Sequence, residues 1–231
     1  MPFWRTGATD LIYLGQDKCR AWLNLSGNRW GQVEEIEPFG PTAQPRQITV
    51  TDLLGQGTGC LVWSSELPGE AQAPLRYIDL MGGHKPHIMT AYHNNMGKTV
   101  RMEYRSSTWF YLQDKAAGKP WITKLPFPVQ VVISSSVEDK WRNTRFTNAY
   151  SYHHGYYDHA EREFRGFGRV EQTDVEDFGE FATGNADSPW ITTDKTLYQP
   201  PVKTVTWFHT GAFLGRERIL NQFEQEYFRP D

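Results

Sequence analysis

Apolar and polar residues alternate with a period of two along much of this chain. Lys98-Thr99-Val100-Arg101-Met102-Glu103-Tyr104 is the clearest run, and that period is the mark of a half-buried strand. Asn94-Asn95-Met96-Gly97, just before it, supplies residues that tolerate positive φ and predicts a turn. Trp109-Phe110-Tyr111-Leu112 predicts a second strand and Pro128-Val129-Gln130-Val131-Val132-Ile133 a third. The run Lys124-Leu125-Pro126-Phe127-Pro128 predicts extended chain at a sheet edge. Residues 134–147 are polar and predict a loop or the start of a helix. Aromatic and polar residues alternate from Tyr150 to Val170, with Gly155 as the turn of a long hairpin. Residues 174–203 are acidic and predict a loop, with a short helix near Asp194. Thr204 to Gly211 predicts a strand. Leu220, Phe223 and Tyr227 recur at spacings of three and four and predict a helix from Arg216 to Phe228.

The first 65 residues contain an echo. Thr9-Asp10-Leu11 leads to Arg20-Ala21-Trp22-Leu23-Asn24 and the turn Ser26-Gly27-Asn28; Thr51-Asp52-Leu53 leads to Cys60-Leu61-Val62-Trp63. The two starts stand 42 positions apart, close to the roughly 40–45 residues of a propeller blade. Asp52-Leu53-Leu54-Gly55-Gln56-Gly57 lies near a calcium loop in spacing but keeps only one carboxylate of the usual three. It predicts a glycine-rich turn without an ion.

Composition sharpens the fold class. Thirteen Phe, eleven Tyr and nine Trp favour strands, and twenty Gly with fourteen Pro interrupt long helices. An all-β chain is expected. Lys and Arg are scattered and the net charge is −3, so no basic stripe points to nucleic acid. No apolar run reaches the roughly 18 residues of a spanning helix, so direct membrane insertion is not expected. The opening Met1-Pro2-Phe3-Trp4-Arg5 has neither the charged head nor the apolar stretch of a secretory leader. Cys19 and Cys60 lie in apolar runs without metal spacing and predict buried free thiols.

Several blocks in order carry a family resemblance. They are Asp52-Leu53-Leu54-Gly55, Leu61-Val62-Trp63-Ser64, Gly82-Gly83-His84-Lys85-Pro86, Asn94-Asn95-Met96-Gly97 and Ser107-Thr108-Trp109-Phe110-Tyr111. Gly118-Lys119-Pro120-Trp121, Leu125-Pro126-Phe127-Pro128-Val129, Phe164-Arg165-Gly166-Phe167-Gly168 and Trp207-Phe208-His209-Thr210-Gly211-Ala212 continue the series. Together they resemble the middle region of insecticidal toxin-complex B components, a family that includes the N-terminal part of a Salmonella virulence protein. The resemblance implies partial β-propeller-like blades followed by an antiparallel RHS-like β-strip. It implies that residues 1–72 end an FG-GAP/VCBS-like propeller and residues 73–231 begin an RHS-type (YD-repeat) shell wall. By the same resemblance, the parent assembly encloses a toxic protein cargo for translocation and is secreted. Its partners are an RHS-type C component and a pore-forming A component. Tyr152, Tyr157, Phe164, Gly166, Phe167 and Gly168 are the candidate strip and turn residues, the aromatics forming cross-strand ladders with Tyr150 and Tyr156.

Three chemical readings compete with a scaffold. Glu161-Arg162-Glu163 is an E-x-E motif; with Arg101 or Arg105 and Ser106-Ser107-Thr108 it imitates the residue order of mono-ADP-ribosyltransferases. In the Salmonella relative such an activity sits in a separate C-terminal domain, and the bland reading is a strand whose two carboxylates face one side, solvated or paired with Arg162 and Arg165. His84, His87 and His93, and His153, His154 and His159, form two groups without acidic residues at a recognised ligand spacing. Exposed Trp and Tyr could stack on glycans. The sequence therefore predicts a non-enzymatic scaffold with no cofactor and no metal. Transferase activity through Glu161 and Glu163 is the first alternative, and a glycan-binding β module the second.

Overall fold

The computed structural model describes residues 9–15, 18–36, 48–65, 68–142, 144–174, 196 and 200–227. The described residues form three antiparallel sheets with two short helices, and their contacts divide into two compact units, Met1–Ile88 and Met89–Asp231. The chain is all-β in character, and no described sheet closes into a barrel.

In the first unit, β1 (Leu11–Leu14), β2 (Cys19–Asn24) and β3 (Trp30–Ile36) form one meander. Strands β4 (Ile48–Thr51), β5 (Cys60–Ser64) and β6 (Leu75–Asp79) form another. Cys19, Ala21 and Ile36 from the first sheet pack with Leu61, Trp63 and Leu80 into one core. The echo is real but lies elsewhere than in the Thr-Asp starts. Asp10 precedes β1, whereas Asp52 follows β4. The repeated feature is Cys-x-x-Trp on the two middle strands, with 41 positions from Cys19 to Cys60 and from Trp22 to Trp63. Both thiols are free and fully buried, as expected. Burial pushes the Cys19 thiol up to about 11 and raises Cys60 as well, so neither is a ready nucleophile. In the glycine-rich turn, both Asp52 oxygens accept backbone N–H groups, from Gln56 at 2.9 Å and Gly57 at 2.7 Å.

The second unit is one six-stranded sheet. Its strands are β7 (Ala91–His93), β8 (Lys98–Ser106), β9 (Gln130–Asp139), β10 (Thr144–Asp158), β11 (Glu163–Asp174) and β12 (Lys203–Trp207). Each pairs with its neighbour in chain order, so the sheet is a meander with β7 and β12 at its edges. The expected strands at Lys98 and Pro128 are present, and so is the one after Thr204. The polar stretch 134–147 is strand rather than loop over most of its length. Serine and valine there sit in register with β8 on one side and β10 on the other, where backbone pairing outweighs side-chain polarity. The hairpin also differs from expectation. Its turn lies at His159–Arg162, between β10 and β11, while Gly155 is buried inside β10. A Cβ on Gly155 would come within 2.7 Å of Trp121, so this glycine makes room for a ring and does not bend the chain.

Trp109-Phe110-Tyr111-Leu112 is helical, which corrects the strand expectation. Helix α1 (Ser107–Ala116) begins where the Ser106 hydroxyl accepts the Thr108 N–H, and Lys115 complements its C-terminal end. Good helix formers from Gln113 onward carry it until Gly118, whose N–H donates to the Lys115 carbonyl. Four aromatic or apolar residues are too short a run to separate strand from helix by period. The tail is the expected helix, α2 (Arg216–Glu226), but only Phe223 of the predicted stripe is buried, while Leu220 is 55% exposed. The helix expected near Asp194 lies outside the described residues.

Candidate functional site

Adjacent histidines on β10 reach carboxylates on both helices. His153 Nδ1 lies 2.6 Å from Asp114 Oδ2 on α1, which also accepts the Trp121 indole N–H at 2.6 Å. Glu171 on β11 places Oε1 3.8 Å from His153 Nε2 and 3.7 Å from Arg169 Nε. Its Oε2 takes Lys203 Nζ of β12 at 2.5 Å. His154, 2% exposed, sits 3.1 Å through Nε2 from Glu226 Oε2 at the end of α2, and its Nδ1 accepts the Ile122 N–H at 3.4 Å. Arg169 adds Nη1 to the same Glu226 oxygen at 3.0 Å, and Gln222 donates to Oε1 at 3.0 Å. Burial pushes Glu226 upward, but the hydrogen bonds from His154 and Gln222 and the charges of His154 and Arg169 outweigh it. The carboxyl is held at about 2. Glu171 is likewise depressed, its burial outweighed by Lys203, His153 and Arg169.

This lattice fastens both helices to the sheet. Phe110, Trp121, Val131 and Phe167 form the apolar core beside it, and Phe223 of α2 packs on Trp207 and His154 at ring separations of 5.0 and 5.1 Å. The lattice was not readable from sequence because its partners lie 39 and 72 positions apart. The His153-His154 pair was the only local signal. Its polar groups bond to one another, and Ser151 Oγ donates to Glu171 at 3.4 Å.

The strip residues chosen from sequence fall in or beside this region. Tyr152 donates its hydroxyl to the Val132 carbonyl at 2.9 Å and packs on Phe167 and Phe110. Tyr157 and Phe164 are direct cross-strand partners. Gly166 has φ +91° and stands at the register shift between Tyr156 and Tyr157, a position glycine adopts without strain. Phe167 is buried, 5.6 Å from Phe164 ring to ring. A Cβ on Gly168 would meet Phe223 at 2.6 Å.

The transferase-like residues do not converge. Arg101 pairs with Ser136 of β9, which pairs with Thr147 of β10, while Glu163 pairs with Asp158, eleven positions farther along β10. At about 3.3 Å per residue that is roughly 35 Å. Arg101 bonds Glu138 at 3.7 Å, and Arg105 lies 4.5 Å over the Trp109 ring. Glu161 is in the turn and not on a strand, which corrects the reading of two carboxylates on one strand face. Glu163 pairs with Arg165 at 3.2 Å. Of the histidines, His84, His87 and His159 are exposed, and His93 bonds Thr99. Among the described residues no group of three or more His, Cys, Asp or Glu is placed to hold a metal, and no helix is long and apolar enough to cross a membrane.

Among the described residues, two cavities lie beside the sheet. One, of about 440 Å³, lies between α2 and the segment after β12 and is lined largely by rings, among them Trp207, Phe208, Phe213 and Phe223. The other, of about 550 Å³, joins the β7–β8 turn to the β9–β10 turn around Trp141.

Residues 36–210 match the sequence family described as the insecticide toxin TcdB middle/N-terminal region. The chain belongs to this family. Solved structures agree across its length. A Photorhabdus luminescens Tc holotoxin pore shares 32% identity over 97% of this chain, with a TM-score of 0.76. The TcdB2-TccC3-Cdc42 crystal structure shares 32% over 100%, with a TM-score of 0.77, and TcdB2-TccC3 without its hypervariable C-terminal region shares 31% over 100%, with 0.76. The chain spans 10% of the matched chain in each of them. No curated protein matches it. The family is a component of an insecticidal toxin complex, and this chain is a TcdB-type middle region of mainly antiparallel sheet.

Proposed function

We propose that this chain is a scaffold and assembly segment of a toxin-complex B component. In this reading it acts without catalysis and helps form the shell that encloses a toxic protein cargo for translocation. Residues 1–72 end the FG-GAP/VCBS-like propeller and residues 73–231 begin the RHS-type shell wall. The parent protein is secreted, joins an RHS-type C component and docks on a pore-forming A component. The observation that carries the reading is the six-stranded sheet with β7 to β12 in chain order, whose strands of 15 and 12 residues, β10 and β11, exceed the usual five or six. Such strands suit a wall, and the lattice of His153, His154, Glu171 and Glu226 stiffens it against both helices. The matched structures that contain TccC3 support the C-component partner. The test is to exchange the matching segment of TcdB2 for this chain and mix the chimera with TccC3. A folded chimera that co-elutes with TccC3 and protects its C-terminal region from protease is the expected result. A folded chimera that leaves that region exposed overturns the shell role.

A further inference from the structure

Trp141 is 83% exposed yet held in one place. Its indole N–H donates to the Met96 carbonyl at 2.8 Å, and its five-membered ring rests on Gly97, where a Cβ would come within 2.5 Å. Gly97 has φ +95°, so both its conformation and its size suit glycine. The turn beneath is braced as well: Asn94 Oδ1 accepts the Met96 and Lys98 N–H groups at 2.8 and 2.9 Å, and the Lys140 N–H donates to the Gly97 carbonyl at 3.0 Å. The result is an oriented aromatic ring with most of its surface open to water.

The cavity it borders, of about 550 Å³, is also lined by Lys98, Lys140, His93, Asn95 and Thr99, and no carboxylate lines it. The neighbouring acids are engaged. Asp139 accepts the Trp141 backbone N–H and lies 3.7 Å from Arg142, and Glu138 lies 3.7 Å from Arg101. Neither Lys98 nor Lys140 forms an ion pair with a described residue. An open indole face takes the C–H face of a pyranose ring, and two ammonium groups without an ion pair to a described residue take an anion. The volume falls in the range of small-ligand sites, roughly 300–1,000 Å³.

We propose that this cavity binds an oligosaccharide carrying a carboxylate, with Trp141 as the stacking platform and Lys98 and Lys140 as the anion contacts. Sialic acid and uronic acid share that chemistry. The test follows indole N–H signals of the labelled chain while sialyllactose, a glucuronic-acid disaccharide or lactose is added, the Trp141 signal being assigned by its loss in Trp141→Ala. At least one acidic sugar should shift the Trp141 signal saturably, and at least tenfold more tightly than lactose. The Lys98→Ala/Lys140→Ala variant should lose that tenfold preference, and Trp141→Ala should not bind, with its other indole signals in place as proof of folding. Whichever acidic sugar binds identifies the source. Equal binding of lactose, binding that survives Trp141→Ala, or a Trp141 signal that ignores all three sugars overturns the proposal.

Discussion

In Met1–Ile88 the shared core is made of Cys19, Ala21, Ile36, Leu61, Trp63 and Leu80, small and aliphatic apart from one indole. In Met89–Asp231 three of the four core residues are aromatic, and a lattice of histidines and carboxylates lies beside them. Strand length accounts for much of the difference. The strands of the first unit run four to seven residues, so two small sheets cover one another with short apolar side chains. Strands of 15 and 12 residues expose a surface that two short helices cannot cover with apolar side chains alone. Large rings fill the deep part, and ion pairs hold the helix ends. Each edge-to-face ring pair adds about 0.5–1.5 kcal/mol beyond area burial. Desolvation offsets much of what a buried charge pair gains, so these pairs add little net stability.

The largest break in this comparison should come from Trp121→Ala. It removes ring contacts to Tyr111 and Phe167 and the bond to Asp114, and a loss of about 3–5 kcal/mol is expected in chemical denaturation. Thiol labelling then reports on the other unit. Cys19 is fully buried, so its labelling at pH 8 should wait on opening of the first core and run far slower than that of a free thiol, and Trp121→Ala should leave that rate unchanged. Faster Cys19 labelling in the variant would mean that the two cores unfold as one.

Gly168→Ala places a methyl where Phe223 stands and should cost about 1–3 kcal/mol, with the Phe223 ring displaced in the NMR spectrum. A smaller effect is expected from Glu226→Gln, about 1–2 kcal/mol at pH 7. Its sign with pH follows from the depressed carboxyl. The stabilisation is complete above the unfolded value near 4.5 and is lost as pH falls toward about 2. The gap between wild type and Glu226→Gln should therefore close over that window in acid titrations of melting temperature. A gap that stays constant would detach the lattice from α2. Smallest of all is Glu163→Gln, at most about 1 kcal/mol, since its pair with Arg165 is exposed. Calorimetry with NAD should show no heat in either form, and heat lost in Glu163→Gln would restore the transferase reading.

What could be read from the sequence was local. Alternation over Lys98–Tyr104, the spacing of Leu220, Phe223 and Tyr227, and the apolar setting of both cysteines each report on a few neighbouring residues, and the structure agrees with them. What only the tertiary structure decided depends on residues distant in the chain. The helix at Trp109–Leu112 is not such a case, because the Ser106 cap and the Gly118 stop that set it are near in the chain and lie only outside the four-residue window. Gly155 became an interior residue because Trp121, 34 positions before it, needs the space. His153 and His154 gained partners on α1, β11 and α2 only when the meander brought those elements together. Strand and helix periods are set by the backbone and show in short windows, whereas a buried polar lattice is set by which surfaces meet.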